Sequence, residues 1–234
     1  MRQLKIISFI LFVVFSSSCN KEPEDPTVEG DAVVISKRSG TNVVYGVAFY
    51  ANSSSSLKTV SVVSSANPSG TISLSAVGDN TYSFRKEPSE SEFSATKPTA
   101  ATYTFNAVFN GGGTSESQDV LTTDALAPVA FEKCLYNTTN LYAELKWTAL
   151  TNANSYVVQL LNASGTVIFN TGEVSNTTTG GTLSSSAVGW SSGYPQNGDV
   201  YTVRIYALEY EDATGASYQM QATSISDSTI TWGV

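Results

Sequence analysis

The chain has 234 residues, a formal net charge of −8 and no histidine. An acidic surface repels phosphate backbones, so nucleic acid is not an expected partner. Without histidine there can be no Ser-His-Asp or Cys-His nucleophile system, and the common zinc sites are also missing.

The first eighteen residues have the composition of an export signal. Arg2 and Lys5 are a short positive start, and residues 6–15 (IISFILFVVF) are apolar but for Ser8. Ten residues are too few to span a bilayer, which takes about 20, but they suit the apolar region of a signal peptide. Ser16-Ser17-Ser18-Cys19 follows. It resembles the lipobox of bacterial lipoproteins, with Ser16 where a leucine is usual. The resemblance implies a lipid on Cys19, a membrane as partner through that lipid, and an outer-membrane location. Residues 20–29 (NKEPEDPTVE) hold two prolines and four acids. They read, with Cys19, as a tether over 19–29. A basic-then-acidic run after the lipid cysteine resembles the surface-export signal of Bacteroidetes-type lipoproteins, which implies display outside the cell.

Loss of residues 1–18 takes away Arg2 and Lys5 and brings the net charge to −10. It leaves Cys134 as the one cysteine besides Cys19. No intrachain disulfide is then expected, and the core must hold the fold. Cys134 itself reads as a small buried hydrophobe rather than a nucleophile.

From Ala32 onward the apolar period is two, and no helical stripe is sustained. Strands are predicted near 31–37, 42–50, 57–64, 70–77, 80–86, 101–110 and 117–123. After DALAP (124–128), which reads as a linker, they resume near 129–135, 141–148, 154–161, 165–170, 177–183, 199–210 and 216–224. The expected fold is all-β, with two tandem β-sandwiches over 30–126 and 127–234. ATYTFNAVF (101–109) and DVYTVRIYA (199–207) look like one motif repeated.

The second half, with LKW (145–147), NSYVV (154–158) and NGDVYTVRIYAL (197–208), resembles a fibronectin type III domain. That resemblance implies that Trp147 is core and that Tyr201 bonds its hydroxyl to backbone at the preceding corner. The first half resembles a generic immunoglobulin-like sandwich; it has Tyr103 but no tryptophan.

Gly111-Gly112-Gly113 falls between two strands and reads as a hairpin turn rather than a phosphate loop. The acids lack the alternating spacing of a calcium loop. Glu87, Glu90 and Glu92 form one acidic cluster, and Glu209, Glu211 and Asp212 another. A glycosidase needs two carboxylates facing each other across a cleft, whereas these are contiguous and read as solvated turns. No cofactor, no metal and no enzymatic activity are expected.

The candidate contact residues are Trp190 and Tyr194, in the loop VGWSSGYPQNG (188–198). Exposed rings there would stack on a sugar or anchor a protein; alternatively, Trp190 folds down to cap the core. Trp232 is open to the same two readings. The function expected is non-catalytic binding of a glycan or an envelope protein at the cell surface. The alternative is a structural spacer or accessory subunit of an outer-membrane glycan-uptake assembly.

Overall fold

The computed structural model describes residues 25–191, 193–211 and 219–234. The signal segment, Cys19 and the tether as far as residue 24 lie outside the described residues. In chain order the first half holds β1 (Val28–Ser39), β2 (Asn42–Ser53), β3 (Leu57–Ser64), β4 (Asn67–Val77), β5 (Asn80–Lys86), a single 3-10 turn (Glu90–Glu92), β6 (Ala101–Phe109) and β7 (Thr114–Leu121). The second holds β8 (Phe131–Asn137), β9 (Tyr142–Trp147), β10 (Ser155–Leu161), β11 (Val167–Ser175), β12 (Gly180–Ser184), β13 (Val200–Tyr210) and β14 (Met220–Thr231).

Each predicted strand has its counterpart, and the differences are at the ends. β1 begins at Val28, inside the segment read as tether, because Val28 is buried and its N–H reaches Ser115 Oγ at 3.3 Å. The strand predicted near 216–224 runs instead from Met220 to Thr231, and residues 216–218 lie outside the described ones. Its continuation was hidden because Ser224 and Ser226, both buried polar residues, occupy inward positions that usually carry apolar side chains.

The two halves are sandwiches of the same order. In the second, β12-β9-β8 faces β11-β10-β13-β14. In the first, β1-β2-β5 faces β4-β3-β6-β7, and β4 passes between the layers. Residues 67–74 of β4 pair with β3, and its last residues, from Ser75, pair with β5. The alternation seen in the sequence sets the inner faces. Tyr103, Phe105, Ala107 and Phe109 of β6 are buried, as are Tyr201, Val203, Ile205 and Ala207 of β13. Their intervening neighbours point outward, as the pleat requires.

β1 and β14 lie side by side in parallel, with Val34 opposite Ala222 and Lys37 opposite Ile225. The four-stranded sheet of the second half thereby continues into the three-stranded sheet of the first. Burial along β1 does not alternate between Ala32 and Ser36. A strand covered on both faces reads as a continuous apolar run. Part of the outer cover comes from the segment after β5: Tyr45 and Ser94 exchange backbone hydrogen bonds of 2.7 and 2.9 Å, and Lys37 lies 4.0 Å over the Phe93 ring.

The segment between β7 and β8 is tied down. Leu126 and Val129 are buried, and their side chains belong to one apolar cluster that runs through both sandwiches. Ser36 Oγ donates to the Leu126 carbonyl. Gln221 Nε2 donates to the Asp124 carbonyl at 3.2 Å, and Gln221 Oε1 accepts from Thr122 N–H at 3.3 Å.

Candidate binding surface

The loop carrying Trp190 and Tyr194 is built on Tyr201. Gln196 N–H donates to the Tyr201 hydroxyl at 2.9 Å, which is the corner bond implied by the fibronectin type III resemblance. Gln196 Nε2 in turn donates to the Tyr194 carbonyl at 3.1 Å, and Pro195 is buried. At its other end, residues 189–191 lie along β11. Asn170 N–H donates to the Gly189 carbonyl at 3.0 Å, and Ser191 N–H to the Ile168 carbonyl at 3.0 Å. Gly189 takes a φ of +126°, and a Cβ there would stand 2.2 Å from the Asn170 oxygen. Only glycine fits that approach.

Trp190 takes the capping position. It is half-buried, its ring lies 4.8 Å from Phe169 and 6.1 Å from Trp232, and its indole N–H donates to the Ser184 carbonyl at 3.1 Å. Trp232 is buried and continues the stack to Tyr136 at 5.0 Å and Tyr201 at 6.4 Å. Tyr194 is the outermost member, 5.4 Å from Trp190 and edge-on to it, with 57 % of its surface exposed. Val188, on the same loop, is 94 % exposed. The two candidate residues thus touch each other, one as buttress and the other as exposed ring. Cys19 lies outside the described residues.

The acidic clusters differ from one another. Glu90 and Glu92 face solvent and pair with Lys37 and Lys86, each at 2.6 Å, while Glu87 stands 3.4 Å from Arg85. Lys86, and then Ser89, hold the Glu92 carboxyl down at about 2. The second cluster is not a solvated turn. Glu209 belongs to β13, and Glu209 Oε2 and Glu211 Oε1 are buried without a partner. Burial raises both carboxyls, Glu211 to about 7. The sequence hid this because β14 and β1 converge there from opposite ends of the chain. Asp212 lies outside the described residues.

Cys134 is half-buried rather than fully enclosed, with its thiol 3.9 Å from the Thr229 carbonyl and pushed up by desolvation. A raised thiol holds less thiolate and is a poorer nucleophile. A wedge of about 800 Å³ opens between the halves where β1 and β14 part, lined by Lys37, Arg38, Phe93, Phe131, Arg204 and Asp227 among others. Its charges are largely used internally: Arg204 grips Asp227 through two bonds of 2.7 and 2.8 Å. Among the described residues no group of three or more acids, cysteines or histidines is placed to hold a metal ion.

No protein-family model matches the chain, and no curated relative matches it. Solved structures similar to it include a two-domain fibronectin type III segment of chicken tenascin. That segment is 15 % identical over 85 % of this chain and 98 % of its own, with a TM-score of 0.27. The adhesin domain of Epf from Streptococcus pyogenes is 12 % identical over 83 % of this chain and 74 % of its own, with a TM-score of 0.30. The BSP domain of a biofilm-associated protein is 10 % identical over 86 % of this chain and 52 % of its own, with a TM-score of 0.27.

Proposed function

We propose that this chain is a non-catalytic binding module of the cell surface, attached to the outer membrane through a lipid on Cys19 and facing outward. Its 30–126 and 127–234 sandwiches act as two domains, and the contact with a glycan or an envelope protein is made by Tyr194. The observation that carries the reading is the exposed Tyr194 ring on a fixed base. Trp190 supports it edge-on, and the Gln196–Tyr201 bond fixes the chain beside it. A ring held in place before binding loses little freedom on contact, so more of its interaction is kept as affinity. Tyrosine serves such contacts well because it has a broad apolar face and a polar tip.

The tied-down junction favours the second reading, a spacer or accessory subunit of a glycan-uptake assembly. A connector with buried Leu126 and Val129 transmits a fixed orientation from one sandwich to the other.

The test applies the full chain to a glycan array and to envelope extracts, beside Tyr194→Ala. Glycan binding lost in the variant, with the melting curve unchanged, supports the first reading. Stable co-purification with envelope proteins that Tyr194→Ala leaves intact, without glycan binding, supports the second. Labelling the producing cells with a tagged fatty acid tests the anchor, and label retained by Cys19→Ala overturns it.

A further inference from the structure

The junction gathers three carboxyls from both sandwiches, Asp119 buried and Asp31 and Glu211 half-buried, and among the described residues no cation is recorded acting on them. Asp31 stands on β1, Asp119 on β7, and Glu211 directly follows β13. Asp119 is 3 % exposed; its Oδ2 accepts from Ala32 N–H at 2.7 Å and its Oδ1 from Val120 N–H at 2.8 Å. Asp31 Oδ2 accepts from Met220 N–H at 3.2 Å. Asp119 therefore ties β7 to β1, and Asp31 ties β1 to the first residue of β14. Glu211 comes up beside Asp119 from the second sandwich, so two carboxyls of like charge face each other there. Asp31 Oδ1 and Glu211 Oε1 are buried without a partner, an arrangement that is costly for an ionised carboxyl.

The surroundings do not neutralise the cluster. Tyr103 lies near Asp119, and Tyr50 of β2 lies near Asp31, itself flanked by Tyr206, Arg85 and Glu87. Glu209 adds another acid from β13, with Asp124 and Lys97 beside it. Burial first, and then the charges of Asp119 and Glu211, push Asp31 up to about 7 against the pull of the Met220 N–H. Burial first, and then Asp119, puts Glu211 at about 7 as well. Carboxyls raised in this way stabilise the junction fully below their ordinary range near 4, and the stabilisation is lost as pH rises through 7.

We propose that Asp31, Asp119 and Glu211 form a proton-operated latch between the two sandwiches, closed in mildly acidic surroundings and loosened when all three ionise. Loosening frees the β1–β14 pairing while each sandwich keeps its own core. The pH of the surroundings then sets how firmly the two halves are held together.

Hydrogen exchange of the full chain at about pH 5.5 and about pH 8.5, corrected for the intrinsic rate, tests the latch. Protection of peptides covering 30–37 and 219–226 should fall at least about tenfold at the higher pH, the equivalent of one pKa unit. Peptides covering 101–109 and 155–161 should keep theirs. Glu211→Gln carries no charge at any pH and should flatten the fall. Asp31→Asn removes one charge and should flatten it independently if the first variant does not fold. Equal protection at both pH values overturns the latch. So does an equal fall in both variants, or a fall that extends to 101–109 and 155–161.

Discussion

The two sandwiches share a strand order but hold their centres differently. In the second, Trp147 is 2 % exposed and meets Tyr156 edge-on at 5.7 Å, and the Tyr156 hydroxyl accepts from Leu150 N–H at 2.8 Å. In the first there is no tryptophan, and Phe49 packs against Tyr103 at 5.1 Å and Phe105 at 6.4 Å. The repeated tyrosine differs as well. Tyr201 accepts from the Gln196 backbone, whereas Tyr103 stands opposite Ser64 of the neighbouring strand. One architecture therefore tolerates two solutions at its core. The strand order depends on the alternation of apolar residues more than on any one ring.

Removing the central aromatic tests that comparison most severely. Trp147→Ala should cost about 3–5 kcal/mol, as truncation of a fully buried ring does. Urea denaturation of the full chain should show the loss, with hydrogen exchange placing it in β9 and β10. The indole N–H has no partner, so Trp147→Phe should cost much less. Equal losses from the two variants would mean that the full shape of the indole, rather than a buried aromatic ring as such, holds this core.

Gly30 probes the first sandwich. A Cβ on Gly30 would lie 2.2 Å from the fully buried Phe105 ring. Gly30→Ala should cost about 1–3 kcal/mol by overpacking. Denaturation midpoints should fall, with the loss confined to β1 and β6; an unchanged midpoint would show that Phe105 can move aside freely.

The smallest expected effect separates the two tyrosines. Tyr201→Phe should cost about 1 kcal/mol, because it strips Gln196 N–H of its acceptor. Tyr103→Phe should cost less, because Ser64, opposite Tyr103 in the sheet, already accepts from Ala66 N–H at 3.2 Å. The reverse order in paired melting curves would break the distinction drawn between the two corners.

The pattern of the second sandwich was open to reading because its signals are local. Trp147 within LKW, Tyr201 within VYTV and the alternation of β13 are each visible within a few residues of chain, and each keeps its role in the fold. Trp190 and Tyr194 stand out by the same local logic, but their division into exposed ring and buttress depends on Phe169 of β11 and Trp232 beyond β14, which the loop's own residues do not reveal. The junction was hidden altogether. Asp31 and Met220 are 189 residues apart, and neither carries a motif that names the other. Glu209 and Glu211 looked solvated because acids near the end of a strand usually are. Only the convergence of β1, β7 and β13 shields them in part from solvent.

The parallel β1–β14 pair also bears on the order in which the chain can fold. Each sandwich can close by pairing neighbours, but this contact joins strands almost a whole chain apart, and loops of that length close late. During synthesis the first sandwich has all its strands once Leu121 has emerged, yet the N–H and C=O groups along one side of β1 have no mate until Met220 and the residues after it appear. Through that interval the first sandwich carries an open, Val- and Ile-rich edge, the kind of surface on which another chain can add a strand. In this fold the last strand made protects the first from its neighbours.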